Sequence, residues 1–427
     1  MALAAPAGGG AHRAPAAGWV LALATLAQMG SSLAQQGMIV LVVYLRVIDH
    51  LSLFTMGLVA AAPALGTMLG MTPSGSAVDR GGVGRTALVG SVGMVVVVVL
   101  LFTATPGPVA VLVALLVALG VFGAVTPMAG AAAALWASRP HNRSTAMGIR
   151  QSGVTIGAGI AAAALPTLVE HWGLRLAILV LALPVGVFGP LLARLTATLG
   201  GRGERRAPGA RPSPPPPAGA SRLRALAPVL PVAAAGALLA AGQYDTLAYA
   251  ITYLHVDAGL ALAAGGVVLA LAQVGGTLAR VGVGLFADRT RLHTGHALVL
   301  MVSIGLVSLT LFSAVHHAPL VLWMALALAL GMGAIGWNAL VLQWAAERAP
   351  AGVQATAMGV SGTGVFLGAT IFPPVFGAVS AATSLPIAWR SVAFLYAAAL
   401  AIVLVTMRRS AASARAAAQA PAAAGAP

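Results

Sequence analysis

The chain has 427 residues, 59% of them hydrophobic and only 7% charged, with a mean hydropathy of +0.96. A soluble domain of this length carries roughly a quarter charged residues. Cysteine is absent, which excludes disulfides, thiolate-built zinc sites and thiol catalysis. The net charge of +15 comes from arginine without any lysine, and its place in alternate connections between apolar runs fits loops on one membrane side rather than a nucleic-acid surface.

Residues 1–16 read as a disordered polar lead without a convincing signal-cleavage site. Twelve apolar runs follow, at 17–45, 52–78, 84–104, 108–137, 142–169 and 173–198, then 226–254, 259–287, 293–314, 318–346, 350–380 and 387–408. Each reaches the roughly 20 residues that cross a bilayer. A backbone in lipid must satisfy its own hydrogen bonds, so all are predicted helical. Residues 199–225 carry Arg202, Arg205, Arg206, Arg211 and the prolines Pro214 to Pro217 without apolar periodicity, the composition of a flexible linker. The Ala-rich stretch 409–427 is expected to be a disordered tail. The fold class is an all-α membrane protein with two six-helix halves, 17–198 and 226–408. Odd connections hold only Arg46, Arg175 and Arg390, whereas even connections and the ends hold nearly all other arginines. Both termini and the linker are therefore expected on the cytoplasmic side of an inner (plasma) membrane.

The halves repeat each other. Gly75-Ser-Ala-Val-Asp79-Arg80 returns 209 positions later as Gly284-Leu-Phe-Ala-Asp288-Arg289. At the same offset Tyr44-Leu45 returns as Tyr253-Leu254, and Gly57 and Gly66 as Gly266 and Gly275. At an offset of 211, Thr145-Ala-Met-Gly148 returns as Thr356-Ala-Met-Gly359. Order and spacing kept across several spans indicate two parallel halves related by an axis along the membrane normal, one of the repeat schemes of transporters.

These motifs make the chain similar to major facilitator superfamily transporters over nearly its full length. The family's loop motif after the second span runs Gly-x-x-x-Asp-Arg/Lys-x-Gly-Arg/Lys-Arg/Lys. Gly75, Asp79, Arg80 and Gly82 match it, Val83 and Gly84 depart from it, and Arg85 comes one place late; Gly284, Asp288 and Arg289 form the second copy. The resemblance implies a gating latch. Asp79 would face the positive N-terminal end of the eleventh span and Asp288 that of the fifth, with the glycines allowing close helix approach. Charges that merely set topology are the alternative.

Polar residues deep in a span are costly and mark function by default. Arg150 lies roughly 12 Å along the fifth span from its start, and Ala146-Met-Gly-Ile-Arg150-Gln151 aligns with Ala357-Met-Gly-Val-Ser361-Gly362. One half carries a cation where the other keeps a hydroxyl. A guanidinium pairs with a carboxylate through two parallel bonds, which suits an anionic substrate; the alternative is an arginine that snorkels to headgroups. Asp245, aligned with Gln36, is the one carboxylate near the middle of a span. Loss of water penalises its charged form, as a proton-coupling group requires; a permanent ion pair is the alternative. Arg280, opposite Met71 in the repeat, is either an end-of-helix arginine belonging with the latch or, since the resemblance places spans five and eight together, a second substrate arginine. The resemblance also places the first, fourth, seventh and tenth spans around a central cavity. Gln35, Gln36, Gln243, Tyr244, Trp337 and Asn338 are then candidate substrate contacts with Gln151 and Ser361, while Gln343, Trp344, Tyr249 and Tyr253 are weaker ones.

His255, Asp257, His316 and His317 fall in outer loops and read as solvated, not as a metal site. Gly153-Val154-Thr-Ile-Gly157-Ala-Gly159 is similar to the family's exporter motif, but Val154 stands where that motif has proline. No cofactor motif or nucleotide-binding loop occurs, so direct ATP drive and enzymatic activity are not expected. The reading is a monomeric secondary transporter that moves a small organic anion by alternating access, with proton coupling (a symporter) through Asp245. A proton-driven multidrug exporter is the alternative, and a non-transporting membrane sensor or scaffold a remote one.

Overall fold

The computed structural model describes residues 17–48, 50–81, 83–137, 143–203, 226–290, 293–315, 318–349 and 354–419. Among them no strand occurs, and twelve helical spans are long and apolar enough to cross a membrane. The first half consists of Ala17–Ile48, Leu53–Gly81, Val83–Ala104, a fourth span in two pieces (Val109–Gly123 and Val125–Ala137), Arg143–Trp172, and a sixth in two pieces (Leu174–Val180 and Ala182–Gly203). After a short turn at Ala227–Val229 the second half runs Leu230–Val256, Leu262–Thr290, Thr294–Ala314, a divided tenth span (Leu320–Ile335 and Asn338–Glu347), Gln354–Ala382 and Leu385–Gln419.

Two boundaries differ from the sequence reading. The sixth helix runs to Gly203, into the expected linker, and the twelfth runs to Gln419, past the expected start of a disordered tail. Alanine is the strongest helix former, so Ser410–Gln419 continues the helix it follows without needing an apolar face. Residues 1–16, 204–225 and 420–427, with His316 and His317, lie outside the described residues.

The repeat is visible in the packing. Within the first half, span one lies along five, two along four and three along six; within the second, seven lies along eleven, eight along ten and nine along twelve. Glycines at repeat positions make these contacts possible. A Cβ at Gly66 would collide with the Val117 carbonyl and one at Gly120 with that of Pro63; in the other half Gly275 meets the Leu328 carbonyl and Gly331 that of Ala272. Without a hydrophobic force between helices in lipid, such backbone-to-backbone approach is what holds them. Pro108 and Pro319, 211 apart, stand at the N-caps of spans four and ten. The turns after spans one and seven match as well: His50 at φ 50° and Gly259 at φ 71°, 209 apart, both take the left-handed conformation.

The halves meet through spans two and eleven on one side and five and eight on the other. An even number of candidate spans among the described residues brings the end of the last helix back to the side of Ala17. At the far side the halves are shut: Gly57 abuts the Pro373 carbonyl, Gly377 that of Leu53, and Gly266 that of Ala162. Among the described residues the contacts between the halves thin out toward the other side. A Cβ at Gly359 would meet nothing within 4 Å, and one at Gly148 only the Arg280 carbonyl at 4.0 Å.

Candidate functional site

Between the halves lies a cavity of about 330 Å³, walled by spans one, two, four and five of the first half and seven, eight, ten and eleven of the second. The backbone sets its most charged wall. Gly153 and Gly157 in span five pack against the carbonyls of Thr25 and Met29 in span one, and the Ser32 hydroxyl donates to the Val154 carbonyl at 2.6 Å. One turn before this seam, Arg150 turns inward, 5% exposed.

Arg150 is held by neutral acceptors. Its Nη1 donates to Gln28 Oε1 at 2.9 Å and to the Pro127 carbonyl at 3.5 Å, and its Nη2 to Gln151 Oε1 at 2.8 Å, while Nε finds no acceptor among the described residues. Arg280 in span eight is 4% exposed. Its Nε and Nη2 donate to the Ile335 carbonyl at 3.2 and 3.0 Å, and its Nη1 to the main-chain carbonyl of Gln151 at 3.3 Å. Gln151 thus joins a guanidinium of one half to a guanidinium of the other. Among the described residues no carboxylate lines the cavity, and Tyr244 lines it together with both arginines.

Nearer the first half, Gln35 donates to Ser31 Oγ at 3.2 Å and accepts from Thr67 Oγ1 at 3.0 Å, binding spans one and two. Beside the arginines the halves also meet through the Thr155 and Thr277 hydroxyls, 2.5 Å apart. Met71, Met358, Leu342 and Phe366 give the cavity an apolar side.

Of the residues singled out in the sequence, Gln35, Gln36, Arg150, Gln151, Gln243, Tyr244, Arg280 and Asn338 line this cavity. Arg280 turns in between the halves rather than out to headgroups. Seven candidates do not line it, Trp337, Ser361 and Asp245 with the weaker Gln343, Trp344, Tyr249 and Tyr253. Trp337 is fully buried and its indole donates to the Ala334 carbonyl at 2.8 Å. Ser361 is also fully buried, with no partner for its hydroxyl among the described residues. Asp245, 1% exposed, lies behind the cavity wall without an ion pair among the described residues, and its Oδ1 has no hydrogen-bond partner among them. Gln343 is exposed and bonded to Glu347, and Trp344 lies beneath Arg348. Tyr249 closes the far side, as described below, and Tyr253 sits in an aromatic cluster with Phe312, Trp323 and Trp389.

For the latch, the backbones carrying Asp79, Arg80, Asp288 and Arg289 are helical to Gly81 and Thr290, but their side chains and the surroundings of Gly75 and Gly284 lie outside the described residues. Arg85 is exposed on span three. The sequence reading missed Gln28, Ser32 and Thr67. A signal for two of them was present: Gln28, Ser32 and Gln35 follow one another at helical spacing on one face of span one.

A two-half helical bundle with a cavity between its halves, lined by buried arginines and glutamines on an apolar background and shut at one end, defines a membrane transporter. The sequence profile described as Major Facilitator Superfamily matches residues 20–373, and the chain belongs to that family. Two uncharacterized MFS-type transporters of Mycobacterium tuberculosis, from strains CDC 1551 and H37Rv, are each 27% identical over 370 residues, covering 82% of this chain and 76% of the relative. Solved structures share the fold. A bacterial homolog of the human lysosomal transporter Spinster, inward-facing and occupied, aligns with TM-score 0.66 at 16% identity over 92% of this chain and 97% of its own. The nucleoside transporter NupG aligns with TM-score 0.71 at 13% identity over 91% and 99%. The chain is thus a multi-pass membrane protein and a secondary transporter of a small-molecule substrate, not an enzyme.

Proposed function

We propose that the substrate is a small organic anion bearing a carboxylate, moved across the plasma membrane by alternating access. The observation that carries this reading is the pair of buried guanidiniums, one from each half, with only neutral acceptors around them. Burying an unpaired charge is expensive, and a cavity with two such cations and no described acid favours an anion over a cationic drug. A carboxylate reaching Arg150 and Arg280 replaces the bridging role of Gln151 and draws the halves together, as occlusion requires. With the arginine-rich ends in the cytoplasm, the cavity closed at the far side belongs to the inward-facing state. The chain acts as a monomer, since one copy supplies both halves of the cavity. Asp245 is the proton-coupling group, a carboxyl that needs no permanent partner and sits one residue beyond the cavity-lining Tyr244.

The test is uptake of labelled mono- and dicarboxylates by the purified chain in liposomes. A charged hydrogen bond contributes about 1.5–3 kcal/mol, so Arg150→Ala should lower uptake at subsaturating substrate by roughly 10- to 150-fold without altering monodispersity. Uptake equal to the parent's would overturn the anion reading. In the same liposomes Asp245→Asn should keep substrate exchange but lose accumulation driven by an imposed pH gradient. Accumulation that survives removes Asp245 from coupling.

A further inference from the structure

A second cavity, about 320 Å³, lies apart from the first at the terminus-side ends of spans seven, nine, ten and twelve, lined by Pro228, His293, Trp344, Glu347, Arg348 and Ser410. Its chemistry is mixed. Trp344 is 1% exposed, and its indole N–H, like those of Trp323 and Trp389, has no acceptor among the described residues. The Arg348 guanidinium sits 5.3 Å above the Trp344 ring. Its Nε donates to the Pro228 carbonyl at 3.1 Å and its Nη1 to Ser410 Oγ at 2.7 Å, which fixes the fork, and Nη2 has no bond among the described residues. His293 accepts the Gly295 N–H at Nδ1, 3.1 Å away, so in the neutral ring the proton resides on Nε2, a third donor. One acid shares the space. Glu347 Oε1 accepts from Thr294 Oγ1 at 2.5 Å and from Gln343 Nε2 at 3.0 Å, leaving Oε2.

We propose that this cavity binds the headgroup of a primary-amine phospholipid from the leaflet on the side of the termini. The phosphate takes the N–H groups of Arg348, Trp344 and His293, and the ammonium takes Glu347. A bare anion would face the Glu347 carboxylate, and a bare cation the Arg348 guanidinium; only a ligand with both signs close together meets both. Arginine forks match phosphate oxygens, and an indole at the end of a span sits at headgroup depth. All four spans belong to the second half. The bound lipid therefore braces that half as a body without tying it to the first.

The test is thermal unfolding of the full chain, delipidated in detergent, with phosphatidylethanolamine, phosphatidylcholine or phosphatidylglycerol at equal mole fraction, and with soluble phosphoethanolamine. Phosphatidylethanolamine should raise Tm at least about 3 °C more than either other lipid. That increment should vanish in Trp344→Phe, which keeps the ring, and in Arg348→Gln. Because it is read within each variant, a lower starting stability does not obscure it. Glu347→Gln should erase the preference over phosphatidylglycerol. Equal stabilisation of the parent by ethanolamine and choline lipids overturns the proposal, as does an undiminished increment in both variants. Stabilisation by soluble phosphoethanolamine but not by the lipid would assign the cavity to a soluble ligand and overturn the lipid as its source.

Discussion

Replacing Tyr249 by phenylalanine isolates one contact between the halves. Its hydroxyl reaches the Leu53 carbonyl of the first half at 2.9 Å and the Pro373 carbonyl of the second at 2.7 Å, and a single phenolic proton serves the two by turns. The ring stacks on Phe376 at 4.4 Å between centroids, a contact phenylalanine preserves. In the opposite state of the transport cycle the halves part at this end: the hydroxyl keeps the Pro373 carbonyl of its own half, and water takes over the Leu53 carbonyl. The deletion therefore weighs more on the far-closed state, through the lost Leu53 contact. A hydrogen bond of this kind contributes about 1 kcal/mol net, so the ratio of far-open to far-closed molecules should rise roughly fivefold. The chain has no cysteine, so cysteines introduced at exposed His171 and Thr383, at the far ends of spans five and eleven, can carry spin labels. Pulsed dipolar spectroscopy then reads the two populations as short and long distances. A ratio within twofold of the parent's, or a shift toward the short distance, would refute the assignment of Tyr249 as a far-side clasp.

Gly66→Ala and Gly275→Ala each place a methyl group against a carbonyl of the neighbouring span, and overpacking of that kind costs about 1–3 kcal/mol. Both should lower Tm and monodisperse yield, whereas Gly359→Ala, with open space around it, should match the parent; equal behaviour of all three would remove the close-approach argument. Thr155→Val and Thr277→Val should be non-additive in Tm or transport rate, with a coupling of about 0.5–1.5 kcal/mol in a double-mutant cycle, because each removes the same hydroxyl contact between the halves. Strict additivity would mean that the pair does not hold the halves together.

The fold was legible because the constraint that sets it is one of composition. Lipid demands runs of about 20 apolar residues, and the duplication repeats the glycines and prolines that let spans approach. Gly66 with Gly275 and Pro108 with Pro319 therefore appear in the sequence as matched positions before any packing is known. The interruptions at Ala124, Leu181 and Gly336–Trp337 were not legible. They fall inside continuous apolar runs, where the local sequence does not say which carbonyl will lose its partner. The Ala-rich stretch after Arg409 was read from composition as a tail, whereas alanine favours helix and the last helix runs to Gln419.

The site divides along the same line. Arg150, Gln151 and Arg280 stand out because the two halves disagree at those positions, and duplication preserves packing while function removes symmetry. Facing is a different quantity. Each residue turns a helix by about 100°, so a slip of one position carries a side chain off the cavity wall. Gln36 and Asp245 occupy equivalent places in the repeat, yet Gln36 lines the cavity and Asp245 sits buried behind it. The seventh span therefore presents Gln243 and Tyr244 where the first presents Gln35 and Gln36, and its carboxyl is withdrawn by a fraction of a turn. That withdrawal separates the two proposed roles in space: anion contact falls to the arginines in the cavity, and protonation to a group that the substrate does not touch. Coupling between them must then pass through a rotation or shift of span seven, which carries both Tyr244 beside Arg280 and Asp245 behind it.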